Sequence, residues 1–163
     1  RSMGGVSDEQ VISDIVGASE FTRNISNNNG KVGLFGTCSG GRHAFLIGCS
    51  SDKFDAIVEC WGGNVIMDKE NITDKQPISP VTLWKNLSSP ILGIFGNDDV
   101  SPPPDQVNEH ENLLKKHNKD YQFHRYEGAG HGFMYYDRPI YRQEQSVDAW
   151  EKIISFLNEK LRG

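Results

Sequence analysis

Apolar residues recur along this chain at two different spacings, and the two spacings alternate. Val11, Ile12, Ile15, Val16 and Phe21 follow a helical period behind Ser7 and Gln10, a capping-box pair, and predict a helix from about 8 to 26. The polar cluster SNNNG at 26–30 ends it. KVGLFG (31–36) is a short continuous apolar run, the mark of a strand buried on both faces. RHAFLIGC (42–49) reads as a helix, FDAIVECW (54–61) as a second strand and PILGIFG (90–96) as a third. DQVNEHENLLKKH (105–117) is an amphipathic helix, YQFHRYEG (121–128) a fourth strand, and residues 143–161 a terminal amphipathic helix. The least regular stretch, 62–89, is expected to loop over the site, with a short helix near Val81–Asn86. Strands that alternate with helices imply right-handed crossovers, hence an α/β fold: a doubly wound, mostly parallel sheet with helices on both faces. In such sheets chemistry gathers beyond the carboxyl ends of the strands.

Composition narrows the partners. Seventeen basic against 22 acidic residues give a net charge of −5 over 163 residues. That balance argues against nucleic acid or an anionic membrane as the main partner, since both need basic patches. No apolar run reaches the roughly 18 residues of a membrane helix. Cys38, Cys49 and Cys60 are an odd set with no CxxC pair, and no histidine pair stands at zinc-ligand spacing. Reduced thiols, a cytoplasmic setting and no bound metal are the expectation. Cys49 and Cys60 read as small buried apolar residues.

Three of the four strands end at residues with chemistry. The first runs into Gly36-Thr37-Cys38-Ser39-Gly40, which fits the strained strand-to-helix turn that presents a nucleophile. Cys38 would then stand at a helix N-terminus, where free amides and the helix dipole favour a thiolate. The backbone amide of Ser39 would face a developing oxyanion. A tight glycine turn around a buried cysteine is the plain alternative. The third strand ends in Gly96-Asn97-Asp98-Asp99, which offers an acid to orient a histidine or simply a solvated turn. The fourth runs into EGAGHGFMYY (127–136), with His131 between glycines. Cys38, an aspartate and His131 stand in the nucleophile–acid–histidine order of one large class of hydrolases. His43, His110, His117 and His124 read as structural or solvated, and Trp61, just past the second strand, as a candidate pocket wall or equally an ordinary packed residue.

GTCSGG, FGNDD with its following prolines, YEGAGHGF and RPIY…DAW together resemble the dienelactone hydrolase (carboxymethylenebutenolidase) family over nearly the whole chain. The resemblance implies an α/β-hydrolase fold, a Cys–Asp–His triad and no cofactor. By position it assigns Cys38 as nucleophile, His131 as base and Asp99 as the acid, with Asp98 as the alternative. Tyr135 stands where the archetype of the family carries an arginine for its substrate carboxylate; Arg42 or Arg138 could substitute for it. The expected activity is hydrolysis of a small ester or lactone through an acyl-enzyme, with Trp61 and Tyr135 at the substrate. A thioesterase, acyl transferase or peptidase on the same scaffold, or a non-catalytic binding module, stays open.

The resemblance reaches only the last four of the eight strands in that family's sheet. Residues 1–163 are therefore expected to be one α/β-hydrolase domain, the C-terminal part of a longer one. The strand at 31–36 should be an edge that leaves backbone groups unpaired and apolar side chains uncovered. Further strands, a second copy or a complementing chain are expected to pair there.

Overall fold

A computed structural model describes residues 5–162. Its order is α1 (Asp8–Arg23), β1 (Gly33–Thr37), α2 (Ser39–Ser50), β2 (Ala56–Cys60), β3 (Ile91–Gly96), α3 (Pro104–Lys116), β4 (Tyr121–Tyr126) and α4 (Gln143–Arg162), with 3-10 segments over Lys69–Asn71 and Pro80–Asn86 between β2 and β3. The four strands are parallel, in the spatial order β1-β2-β3-β4. The expected α/β sheet is thus present, with β1 at its border.

Alternation along β2 shows how the layers form. Ala56, Val58 and Cys60 point to one face, where Ala149, Ile153 and Phe156 of α4 close over them. Ile57 points to the other, with Phe45 and Ile47 of α2, Leu114 of α3 and the apolar stripe of α1 (Val11, Ile12, Ile15, Val16). All five residues of β2 and all six of β3 are buried, as continuous apolar runs in a sandwiched parallel sheet require.

Several boundaries move. α1 stops at Arg23 rather than 26, where Asn24 caps it (φ −92°, ψ 0°) and turns its N–H to the Phe21 and Thr22 carbonyls. α2 begins at Ser39 rather than 42, directly after Cys38, so the glycine cluster belongs to its first turn. The segment 62–89 forms the expected short helix as a 3-10 element. Val65, Val81, Leu83 and Leu87 of this segment pack into the core that α1, α2 and α3 share.

One contact fastens that side. Asp8, at the start of α1, is almost wholly buried and accepts both guanidinium arms of Arg42, at 2.6 and 3.0 Å. Arg42 Nε also donates to the Asn64 carbonyl, so one side chain ties α1, α2 and the following loop together. Arg42 is therefore committed to the scaffold, which corrects the expectation that it could receive a substrate carboxylate.

On the α4 face the border is open. Phe35 of β1 is 41% exposed and stacks on Trp150, itself 44% exposed, with ring centroids 5.7 Å apart. Val147 and Ile154, one turn to either side of Trp150, are exposed as well.

Candidate active site

The turn that carries Cys38 is built by exclusion. A Cβ on Gly36 would collide with the carbonyl of Gly40, and one on Gly41 would sit 2.7 Å from the Cys60 carbonyl oxygen. Only glycine lets β1, the turn and α2 approach this closely. Cys38 itself takes φ 56°, a left-handed conformation that costs a non-glycine residue of order 1–3 kcal/mol. Its backbone is held from both sides. Its N–H donates to the Cys60 carbonyl at 3.0 Å, and its own carbonyl accepts the N–H groups of Gly41 and Arg42 at 3.0 and 3.2 Å. Such strain persists only where neighbours over-determine it, and here it lifts the sulfur off the end of the sheet.

His131 reaches that sulfur from the loop after β4. Its Nε2 lies 3.1 Å from Cys38 Sγ, and its Nδ1 lies 2.9 Å from Asp99 Oδ2. Asp99 is buried, and its second oxygen accepts the Ser101 N–H at 2.8 Å. Asp98 is exposed, so of the two aspartates weighed from sequence Asp99 is the one that meets His131. The hydrogen bond to Asp99 raises the His131 pKa to about 9, with a smaller contribution from Cys38, against the desolvation that would lower it. Ser39 opens α2, so its N–H belongs to the free amide end of that helix.

Tyr135 lies beside the turn. Its hydroxyl is 3.1 Å from the hydroxyl of Thr37, which bridges the histidine loop to the end of β1. The exposed Arg138 guanidinium lies over the Tyr135 ring, 5.3 Å from its centroid. Trp61 corrects its expectation. It is 1% exposed, edge-on to Tyr135 at 5.7 Å and tilted on Phe133 at 5.4 Å, so it backs the site instead of lining open space.

The other cysteines and histidines fall where expected. Cys49 and Cys60 are buried, and burial pushes the Cys49 thiol up to about 12 and Cys60 higher still. His117 stacks on Trp84 at the surface. Sequence reasoning missed the partner of His110, which is buried on α3 opposite Glu59 of β2. A glutamate inside the apolar run FDAIVECW is the signal that could have found it. Among the described residues, no group of three or more His, Cys, Asp or Glu side chains could hold a metal ion, and no helix is long and apolar enough to cross a membrane.

The parallel sheet, the strained nucleophile-type turn at the end of β1 and a histidine delivered from the loop after β4 define the α/β-hydrolase fold. The family can then be stated: the model of the dienelactone hydrolase family matches residues 2–161, and the chain belongs to that family. The chain is 30% identical over 155 residues, 94% of its length, to a candidate carboxymethylenebutenolidase of Methylorubrum extorquens, and covers 52% of that protein. It is 27% identical over 157 residues, 96% of its length, to a candidate 2-oxo-3-(5-oxofuran-2-ylidene)propanoate lactonase of Bradyrhizobium, and covers 62% of it. The crystal structure of a candidate dienelactone hydrolase from Klebsiella pneumoniae superposes with a TM-score of 0.83 at 25% identity, over 92% of this chain and 61% of that one. The chain thus spans a little over half the length of the relatives it matches.

Proposed function

We propose that this chain carries the nucleophile, base and acid of a cysteine-dependent hydrolase of small esters or lactones. The observation that supports this most is the continuous contact from Cys38 Sγ through His131 to buried Asp99. Cys38 gives its proton to His131 Nε2, and its sulfur attacks the carbonyl carbon. The oxygen left negative is met by the Ser39 N–H. When the carbon–oxygen bond to the leaving group breaks, His131 passes its proton to the departing oxygen, and a thioester on Cys38 remains. Water then attacks the thioester and gives a proton to His131; as the carbon–sulfur bond breaks the acid leaves, and the released Cys38 sulfur takes that proton back from His131 Nε2. Asp99 holds the ring with Nε2 toward sulfur and stabilises its charged form. Tyr135 and Arg138 line the approach on the side of the turn. A lactone or ester suits the family and the lactonase relative alike.

The same proposal includes a completed sheet. A further strand, from a longer domain or a second copy, pairs along β1, covers Phe35 and Trp150, and brings the second oxyanion donor. Supporting this are the border position of β1 and the exposed apolar side chains beside it. The chemistry is tested by iodoacetamide followed by assay on a panel of ester, lactone, thioester and peptide substrates. Cys38 should be alkylated ahead of Cys49 and Cys60, with loss of ester or lactone turnover. Labelling elsewhere with activity intact, or turnover of peptides alone, refutes it.

A further inference from the structure

A second carboxylate–histidine pair lies inside the core. Glu59 of β2 is fully buried and points to the face covered by α2 and α3. His110 of α3 is 3% exposed and faces it, with Nδ1 4.0 Å from Glu59 Oε1, beyond hydrogen-bond reach. Both Glu59 oxygens and His110 Nε2 are without a hydrogen-bond partner in the protein. Orphaned buried polar atoms are costly and rare, and a cluster of three calls for a partner of matching size. A cavity of about 10 Å³ lies between these groups, lined by Glu59, His110, Gln106, Val65, Phe95 and Val107. That is close to the minimum space of one water molecule, and too little for any larger ligand.

We propose that Glu59, His110 and one water molecule in this cavity form a neutral internal relay that holds a single proton and makes the fold most stable in mildly acidic solution. Nothing nearby supplies a compensating charge. His110 is enclosed edge-on by Phe45 and Phe123, at centroid distances of 4.4 and 5.1 Å. Apart from His110, the titratable groups that feel Glu59 are Cys49 of α2 and Cys60 of β2, both buried thiols held neutral by desolvation. From α2 the Arg42 guanidinium is taken by Asp8, and from α3 Glu111 is taken by Arg125 at 2.8 Å. Glu109, on the same helix, is exposed. Lys119, after α3, donates to the Lys85 and Leu87 carbonyls. Asp99, past the end of β3, is engaged by His131. Burial alone therefore acts on the pair: it drives the His110 pKa down to about 3 and the Glu59 carboxyl well above its usual range. The acid keeps the proton, the imidazole stays neutral, and the water joins them.

The pH dependence follows from linkage. An unfolded glutamate titrates near 4.3 and an unfolded histidine near 6.5. Folded Glu59 binds a proton that the unfolded chain loses above about 4.3, so its effect on stability declines as pH rises from there. Folded His110 refuses a proton that the unfolded chain takes up below about 6.5, so its effect declines as pH falls from there toward about 3. Between about 4.3 and 6.5 the two slopes cancel, and the contribution of the pair is flat and highest.

Three measurements test this, and none depends on catalysis. Carbon-detected NMR of the His110 ring in the intact wild-type chain needs no substitution. It should show a neutral ring down to about pH 4. Titration near 6.5 would mean a charged pair and would overturn the proposal. Denaturant unfolding of wild type and Glu59→Gln across pH 5–9 reads the carboxyl. The ratio of the variant's folding constant to that of wild type should rise with pH, by up to about tenfold per unit, until Glu59 ionises within the fold. A ratio flat across that range would overturn it, as would a high-resolution crystal structure with Glu59 and His110 in direct contact and no water between them.

Discussion

Two histidine–carboxylate pairs share this small sheet, and they are driven in opposite directions. His131 and Asp99 touch at 2.9 Å at the open end of the strands, where the ring is 36% exposed and its pKa rises to about 9. His110 and Glu59 stand 4.0 Å apart in the sealed core, where the ring falls to about 3. The residue types are nearly the same; contact and solvent decide the outcome. A direct hydrogen bond to a carboxylate stabilises the charged ring by more than partial burial costs it. Remove the contact, complete the burial, and desolvation wins outright. The first arrangement suits proton transfer to and from a substrate. The second suits a silent structural role.

The contrast can be broken at several points. Cys38→Ala should lower ester or lactone turnover by about 10⁶-fold, because it removes the group that the His131–Asp99 pair serves; steady-state assay against wild type measures it. Asp99→Asn should cost about 10⁴-fold in turnover while leaving the fold intact. It should also move the His131 pKa from about 9 back toward 6.5, read by ring NMR. The sign for stability follows: His131 contributes fully below about pH 6.5, and that contribution is lost as pH rises through about 9, so Asp99→Asn should flatten stability across this window. A third carboxylate pair sharpens the comparison. Asp8 and Arg42 are both sealed and in contact, so Arg42→Ala leaves a buried charge uncompensated and should destabilise the chain by about 3–5 kcal/mol in chemical denaturation. The smallest effect belongs to Tyr135→Phe. Loss of the hydroxyl contact with Thr37 should cost about 1 kcal/mol, or a few-fold in turnover, without changing the pH profile.

The chemistry at strand ends was legible in the sequence because each element there is short and punctuated. The glycines around Cys38 announce a turn that only small residues can close, and the strands read before Cys38, Asp99 and His131 place all three at the carboxyl end of one sheet. What did not show was anything set by distance across the fold. Asp98 and Asp99 look alike in sequence, and only the turn after β3 buries one and exposes the other. Trp61 directly follows a strand, but its own left-handed backbone (φ 38°) and the rings of Phe133 and Tyr135 seal it beneath the site. Arg42 looked free because Asp8, its partner, lies 34 residues away. Glu59 and His110 each fit a local pattern, one in a strand and one on an amphipathic helix. Their meeting is a property of how α3 packs on β2 and β3.

Trapping the acyl-enzyme tests whether Cys38 is the nucleophile that His131 and Asp99 serve. The chain is mixed with p-nitrophenyl acetate, quenched in acid and mapped by peptide mass spectrometry. One acetyl group is expected as a thioester on Cys38, formed at a rate that collapses in His131→Ala. Acetyl on Cys49 or Cys60 instead, or sustained ester turnover with Cys38 never acylated, would contradict it.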